Sequence, residues 1–193
     1  MKIVLASGSR WRQQMLRSAG IPCEIDPADI DEAALVEPDP IRRALALARA
    51  KAEVVAARHP DAVVVGADQV AHLDGEIFGK PPSAEAQRAR LCSLRGRRHE
   101  LVTGVSILGP GLDVAFHEIT GMRFRADVSD AEIDAYVATG EGRGCAGGYQ
   151  LEGLGAQLVE AVEGDWFNVI GLPLLRLIGA LRAEGWRPFD GEG

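Results

Sequence analysis

A short apolar run, Lys2 to Ala6, opens the chain and stops at Ser7-Gly8-Ser9. It reads as a buried strand. Ser9 is placed to cap a helix running to Ser18 or Ala19, with Gly20 just beyond its end. Cys23 to Ile25 fits a second short strand, and the acidic, aperiodic stretch Asp26 to Pro38 fits a loop. Asp39-Pro40 starts a helix with Pro40 at its first position, and the Ala-, Leu-, Arg- and Lys-rich segment Ile41 to His59 continues it as far as Pro60. Ala62 to Val65 is a continuous apolar run, expected of a strand covered on both faces. Gly66-Ala67-Asp68 follows it, and Gln69 to Leu73 extends it to the turn signal Asp74-Gly75.

Ser83 caps a helix through about Leu94, closed by Gly96. Glu100 to Leu108 and Leu112 to Phe124 are two strands joined by Gly109-Pro110-Gly111. Ser129 and Glu132 form a capping-box pattern before a helix to about Ala138. Gly140 to Gly155 is a glycine-rich loop, Gln157 to Val162 a strand, and Pro173 to Ala183 a last helix. Strands and helices alternate without repeat or linker. This predicts an α/β fold with a mixed sheet, built as a single domain over residues 1–193.

Composition narrows the function more than the fold. The chain has 193 residues, 47% hydrophobic and 25% charged, which needs no disulfide or structural metal to fold. A formal charge of -7 argues against a broad grip on a nucleic acid polymer or an anionic membrane, but leaves room for a small anion in a local basic pocket. The three cysteines, Cys23, Cys92 and Cys145, are scattered and form no CxxC pair, which fits a reducing compartment. The first apolar run is too short for a signal peptide, and no stretch reaches the ~20 residues that span a bilayer. A cytoplasmic protein is expected.

Three groups carry candidate chemistry. Small residues at a strand-to-helix turn, Ser7-Gly8-Ser9-Arg10, with Arg12 and Arg17 behind, suit a phosphate; they equally suit a plain β–α turn with a solvated basic face. Asp68 lies just past a buried strand, where α/β sheets bind ligands, or it caps a turn. Lys80, in Gly79-Lys80-Pro81-Pro82, is aimed inward by a rigid loop or is solvated. The four histidines lack metal-ligand spacing, and His99 and His117 read as surface or sheet residues. No Walker A, GxGxxG or GxSxG is present. Any metal would therefore be held by carboxylates and phosphate oxygens, which points to Mg²⁺ or Mn²⁺.

Taken in order, Leu5-Ala6-Ser7-Gly8-Ser9, Asp31-Glu32, Ala50-Lys51-Ala52, Gly66-Ala67-Asp68, Gly79-Lys80-Pro81, Thr103-Gly104, Cys145-Ala146-Gly147 and Asn168-Val169-Ile170-Gly171-Leu172-Pro173 resemble the Maf family of nucleotide pyrophosphatases. The resemblance implies a Maf/inosine-triphosphatase-like fold, with a long mixed sheet flanked by helices and two lobes around a central cleft. It implies hydrolysis of a nucleoside triphosphate to monophosphate and pyrophosphate with a divalent metal, and frequent homodimers. The family's polar site falls on Ser7, Arg12, Glu32, Lys51, Asp68 and Lys80, with Ser9 beside the phosphates. In that frame Asp68 is the general base, and Glu32 and Asp68 are the candidate metal ligands. Arg12, Lys51 and Lys80 screen the leaving pyrophosphate.

Three positions depart from the commonest family pattern. Ser9-Arg10-Trp11-Arg12 stands for Ser-Pro-Arg-Arg, without its proline and with Trp11 in it, Gln69 replaces Thr after the Asp, and Glu152 replaces Gln before Gly153. This set resembles the 7-methyl-GTP subfamily rather than the dTTP/UTP one. A carboxylate matches the paired donors of guanine, and an indole face suits the cationic N7-methylated ring. A nucleotide-sensing septum-formation regulator and a nucleotide-sugar transferase are the competing classes.

Overall fold

The computed structural model describes residues 1–188. The first strand, β1 (Ile3–Leu5), leads into α1 (Arg10–Ser18), whose N-cap is Ser9 and whose C-terminal turn closes at Gly20 in the left-handed region. A two-residue strand, β2 (Glu24–Ile25), precedes the acidic loop and α2 (Pro40–Ala56), capped by Asp39 with Pro40 in its first turn. Then come β3 (Val63–Leu73), β4 (Glu76–Phe78), α3 (Ala84–Leu94), β5 (Arg98–Gly109) and β6 (Leu112–Phe124). After α4 (Asp130–Ala138) and the glycine-rich loop, a 3₁₀ turn (Leu154–Leu158) enters β7 (Val159–Glu163). The chain closes with α5 (Trp166–Ile170) and α6 (Leu174–Ala183). Most elements lie where the pattern places them. The short α5 does not, because five apolar-rich residues show no period.

The seven strands form one mixed sheet in the order β2-β1-β3-β5-β6-β7, with β4 pairing on β3. β1 runs parallel to β2 and to β3, while the other pairs are antiparallel. One edge of β3 is shared by two partners. β1 pairs with Val63–Val65 and β4 with Ala71–Leu73, so among the described residues no strand covers Gly66 to Val70 on that edge. The β3–β4 turn uses Asp74 and Gly75, both at positive φ, as a two-residue hairpin requires.

Side-chain alternation along β3 and β5 sorts the core onto two faces. Helix α2 covers one of them, with Ala44, Ala48 and Ala52 on the sheet side. The opposite face carries two separate apolar clusters. One joins Leu5, Val65, Ala67 and Val105 to α1 and α6 through Leu16, Leu177 and Leu181. The other joins Ala71, Leu101 and Met122 to α3 and α4 through Leu91, Leu94 and Ile133. Between them runs a polar belt of Gln69, Thr103, Thr120 and Asn168. The belt, with the open stretch of β3, is the seam between these clusters. His99, expected on a surface or sheet position, lies in β5 but is buried against Phe124 and Tyr149. Its Nε2 lies 2.8 Å from the Tyr149 hydroxyl, and burial pushes its pKa down to about 4.

Helix α2 lies so close to the sheet that Gly66 and Gly104 leave no room beneath it for a side chain. A Cβ on Gly66 would overlap the Ala48 carbonyl and Ala52, and one on Gly104 would overlap the backbone of Ala44 and Leu45. Substituting Gly104→Ala should therefore lift α2 and cost about 1–3 kcal/mol. Urea denaturation is expected to show a lower midpoint at unchanged slope; an unaltered midpoint would contradict this close seating.

Candidate active site

Asp68 lies in the uncovered stretch of β3 and faces α2, because it shares its side of the strand with Gly66 and Val70. Opposite it on β5 is Gly104. With glycine at both contact points, Lys51 reaches over the sheet from α2 and donates to Asp68 Oδ1 at 2.6 Å. The same Nζ lies 2.7 Å from Glu32 Oε1 on the acidic loop. Lys51 and Asp68 are nearly buried, with side-chain exposures of 11% and 12%, whereas Glu32 is 56% exposed. Burial works against the Glu32 carboxylate, but Lys51, with Lys80 and Arg12 farther out, holds its pKa below the usual glutamate value.

Two carboxylates converging on one cation are the arrangement a small divalent ion uses. Among the described residues, no group of three or more His, Cys, Asp or Glu side chains is placed to hold a metal. Glu32 and Asp68 thus fit a metal that draws its other ligands from phosphate and water, not a closed protein cage.

On the β1 side of the gap, the Ser7-Gly8-Ser9 loop is shaped by its own hydroxyls. Ser9 Oγ accepts from the Arg12 amide as the α1 cap. Ser7 Oγ accepts from the Ser9 amide at 3.3 Å and from Arg12 Nη1 at 3.1 Å, which leaves its own O–H to donate into the cleft. Arg12 is buried and ties three segments together. Nη1 also donates to the Ala67 carbonyl, on the β3 edge that lacks a strand, at 2.9 Å, and Nε donates to Gly171 O at 2.7 Å. Among the described residues Nη2 has no protein acceptor, and Arg12 lines the cleft. Burial lowers its pKa, opposed by Asp68 and Glu32; a guanidinium stays charged regardless.

Lys80 borders the cleft from the β4 side, on a loop whose Gly79 carbonyl accepts from Arg90 at 2.5 Å. Gln69, on the opposite face of β3 from Asp68, gives both N–H groups to the protein, to Thr103 Oγ1 at 3.1 Å and Asn168 O at 2.6 Å. Only its carbonyl oxygen remains free. Trp11 and Glu152 both line the cleft. The Arg10 guanidinium lies 4.4 Å from the centroid of the Trp11 ring. Partial burial, then the Glu141 carboxylate, raises the Glu152 pKa, with Arg10 opposing.

The cleft that gathers these groups measures about 1360 Å³. Although the chain is acidic, Arg10, Arg12, Arg43, Lys51, Lys80 and Arg143 line it against the carboxylates Glu32, Asp68, Glu141 and Glu152. Arg43 and Arg143 were not legible as site residues; the only signal was the Gly142-Arg143-Gly144 triplet. Cys145 also lines the cleft, but burial, then Glu152, pushes its thiol up to about 11, which keeps it protonated and poorly nucleophilic.

The glycine-rich loop that carries Glu152 is held from outside. Gln87 of α3 is fully buried and donates to Glu141 O at 2.6 Å and Gly148 O at 2.8 Å. One turn later Arg90 joins Gly79 O to Ala146 O. Glu141 accepts from the amides of Leu154 and Gly155 and from the Tyr136 hydroxyl. Nothing in the helical pattern of α3 marks Gln87 or Arg90, because their acceptors are distant carbonyls. Replacing Gln87 with Leu leaves two carbonyls without a donor and should cost about 1–3 kcal/mol. Amide exchange across residues 140–155 is expected to accelerate well beyond that of β5, and uniform exchange would remove Gln87 from this role.

A family model described as Maf-like protein matches residues 2–184. A protein of Synechococcus sp. named nucleoside triphosphate pyrophosphatase is 48% identical, covering 90% of each chain. One of the same name from Maricaulis maris is 44% identical over 95% of this chain and 97% of its own. A protein of Symbiobacterium thermophilum named dTTP/UTP pyrophosphatase is 38% identical over 98% and 97%.

Proposed function

This chain belongs to the Maf family, and on that premise we propose that it is a nucleoside triphosphate pyrophosphatase, cutting between the α- and β-phosphates. The supporting observation is the Lys51-bridged pair of Asp68, in the gap of β3, and Glu32, on the acidic loop, both lining a cleft rich in cations. Attack on the α-phosphorus needs an aligned water, a proton acceptor and neutralised phosphates. Asp68 is the acceptor: in the nucleotide-free protein Lys51 engages Oδ1 alone, and among the described residues Oδ2 faces no protein donor and is free to orient water and take its proton. Ser7 O–H, Arg12 Nη2 and Lys80 bind phosphate oxygens and offset the charge that grows on the departing pyrophosphate. A divalent metal, Mg²⁺ or Mn²⁺, would be held by Glu32 and Asp68 and would supply further neutralisation of the triphosphate. The cysteines are free, which suits a cytoplasmic enzyme.

For the base, we propose a guanine nucleotide methylated at N7. Gln69 can offer only an acceptor, and Glu152 offers a carboxylate. Two acceptors suit the N1–H and 2-amino donors of guanine better than the single N3–H of uracil or thymine. Trp11 already carries one cation on its ring, and a cationic base taking that face is worth about 0.5–2 kcal/mol. The second reading, a pyrimidine triphosphate, draws on the dTTP/UTP name of the Symbiobacterium relative.

A panel of 7-methyl-GTP, GTP, UTP and dTTP, scored by pyrophosphate release, tests both levels. Expected is kcat/KM at least about tenfold higher for 7-methyl-GTP than for the pyrimidines; the reverse order establishes the pyrimidine reading. Asp68→Asn should lower kcat by roughly 10²–10⁴ with KM little changed, and full turnover would displace Asp68 as the base.

Glu152 adds a pH signature. Its raised pKa means that the carboxylate loses its acceptor character at a higher pH than an ordinary glutamate. On acidification, KM for the guanine nucleotide should rise through that pKa in the wild type. Glu152→Gln should lack this limb, and identical profiles would take Glu152 out of base recognition.

A further inference from the structure

The Lys51 ammonium sits where a divalent ion shared by the two carboxylates would sit. It lies 2.6 Å from Asp68 Oδ1 and 2.7 Å from Glu32 Oε1. A magnesium-sized ion bound to the same oxygens, at about 2.0–2.1 Å, would occupy nearly the same point, and two cations do not share it. We infer that Lys51 is a resident competitor for the metal: in the nucleotide-free protein it excludes the ion, and it yields the carboxylates only when phosphate oxygens offer it new acceptors. Metal binding by Glu32 and Asp68, proposed above, is the premise.

Lys51 cannot withdraw by movement of its helix. Ala48 and Ala52 flank it on α2, and both contact Gly66 with no space between helix and sheet. What can move is its own flexible stem, and Glu32, which is 56% exposed on the acidic loop. Lys51 therefore exchanges partners by side-chain rotation, from carboxylates to phosphate, without disturbing the fold. With one ammonium between two carboxylates, the pair presents to a free ion one negative charge in place of two, and its converging oxygens are already occupied. An arriving triphosphate reverses this, because it draws Lys51 away and brings ligands of its own. Metal then enters with or after the nucleotide, not before it. Lys51 so acts twice, as a gate on the metal and as a phosphate ligand.

The test uses Mn²⁺ alone, titrated into nucleotide-free protein and followed by the paramagnetic resonance of the free ion. Wild type should bind weakly, and Lys51→Met should bind one Mn²⁺ at least about tenfold more tightly, since a unit positive charge has left the pair. Lys51→Arg should stay as weak as wild type. Adding Asp68→Asn to Lys51→Met should abolish the gained site. If thermal unfolding shows that Lys51→Met does not fold, Lys51→Gln takes its place: a neutral amide of shorter reach. Wild type that binds Mn²⁺ as tightly as the neutral variants overturns the competition, even where turnover needs metal. Wild-type turnover indifferent to EDTA and to added Mn²⁺ removes the premise as well, so the two failures are told apart.

Discussion

The site depends on how closely α2 approaches the sheet. Glycines at Gly66 on β3 and Gly104 on β5 leave the helix backbone in contact with the strands, and small residues at Ala44, Ala48 and Ala52 keep it there. Here the Lys51 ammonium reaches the carboxylate of the strand below. Packing and chemistry are thus set by the same residues, since interiors are close-packed and a helix cannot rise at one point alone.

A second constraint is the incomplete edge of β3. A strand that changes partners from β1 to β4 leaves backbone groups uncovered, and such groups need partners when removed from water. Arg12 supplies one, at Ala67 O, and so binds the Ser7-Gly8-Ser9 loop, the central strand and the α5–α6 turn into a unit. Gln69 acts similarly across the seam between the two apolar clusters, with Asn168 and Thr103. The cleft is therefore the place where the sheet is unfinished, and polar side chains complete it.

Local signals were the legible part of this fold. The Ser9 cap, the Asp74-Gly75 turn and the Ser129–Glu132 capping box each act within a few residues, and each lies where the pattern put it. The glycine-rich loop was legible as a loop. Its fastening was not, because Gln87 meets carbonyls 54 and 61 positions away in sequence. Arg12 was named for the site, but not its tie to Gly171, at a separation of 159 residues. Ser7, Glu32, Lys51, Asp68 and Lys80 were picked out by resemblance and come together around one cleft. Their pairwise order, with Lys51 between two acids, was beyond reach, since it follows from the height of α2 above the sheet. The hydrophobic pattern says which side of a helix faces inward, but not how far in.

Burial separates the three cations that sequence reasoning had grouped together. Arg12 is fixed: two of its three nitrogens are committed, so its free amino group is pre-oriented and loses little freedom on meeting a phosphate. Lys51 is anchored at its root and engaged at its tip, so it can act only by giving up a partner. Lys80 is exposed on a loop tied by Arg90 and is free to follow a ligand. A rigid donor, an exchangeable one and a mobile one are suited to different moments of the proposed reaction. In the proposed reaction, holding the substrate suits the first, neutralising it as it binds the second, and following the departing group the third. Equal charge does not make them equivalent, because electrostatic stabilisation depends on how much each charge must reorganise as the reaction proceeds.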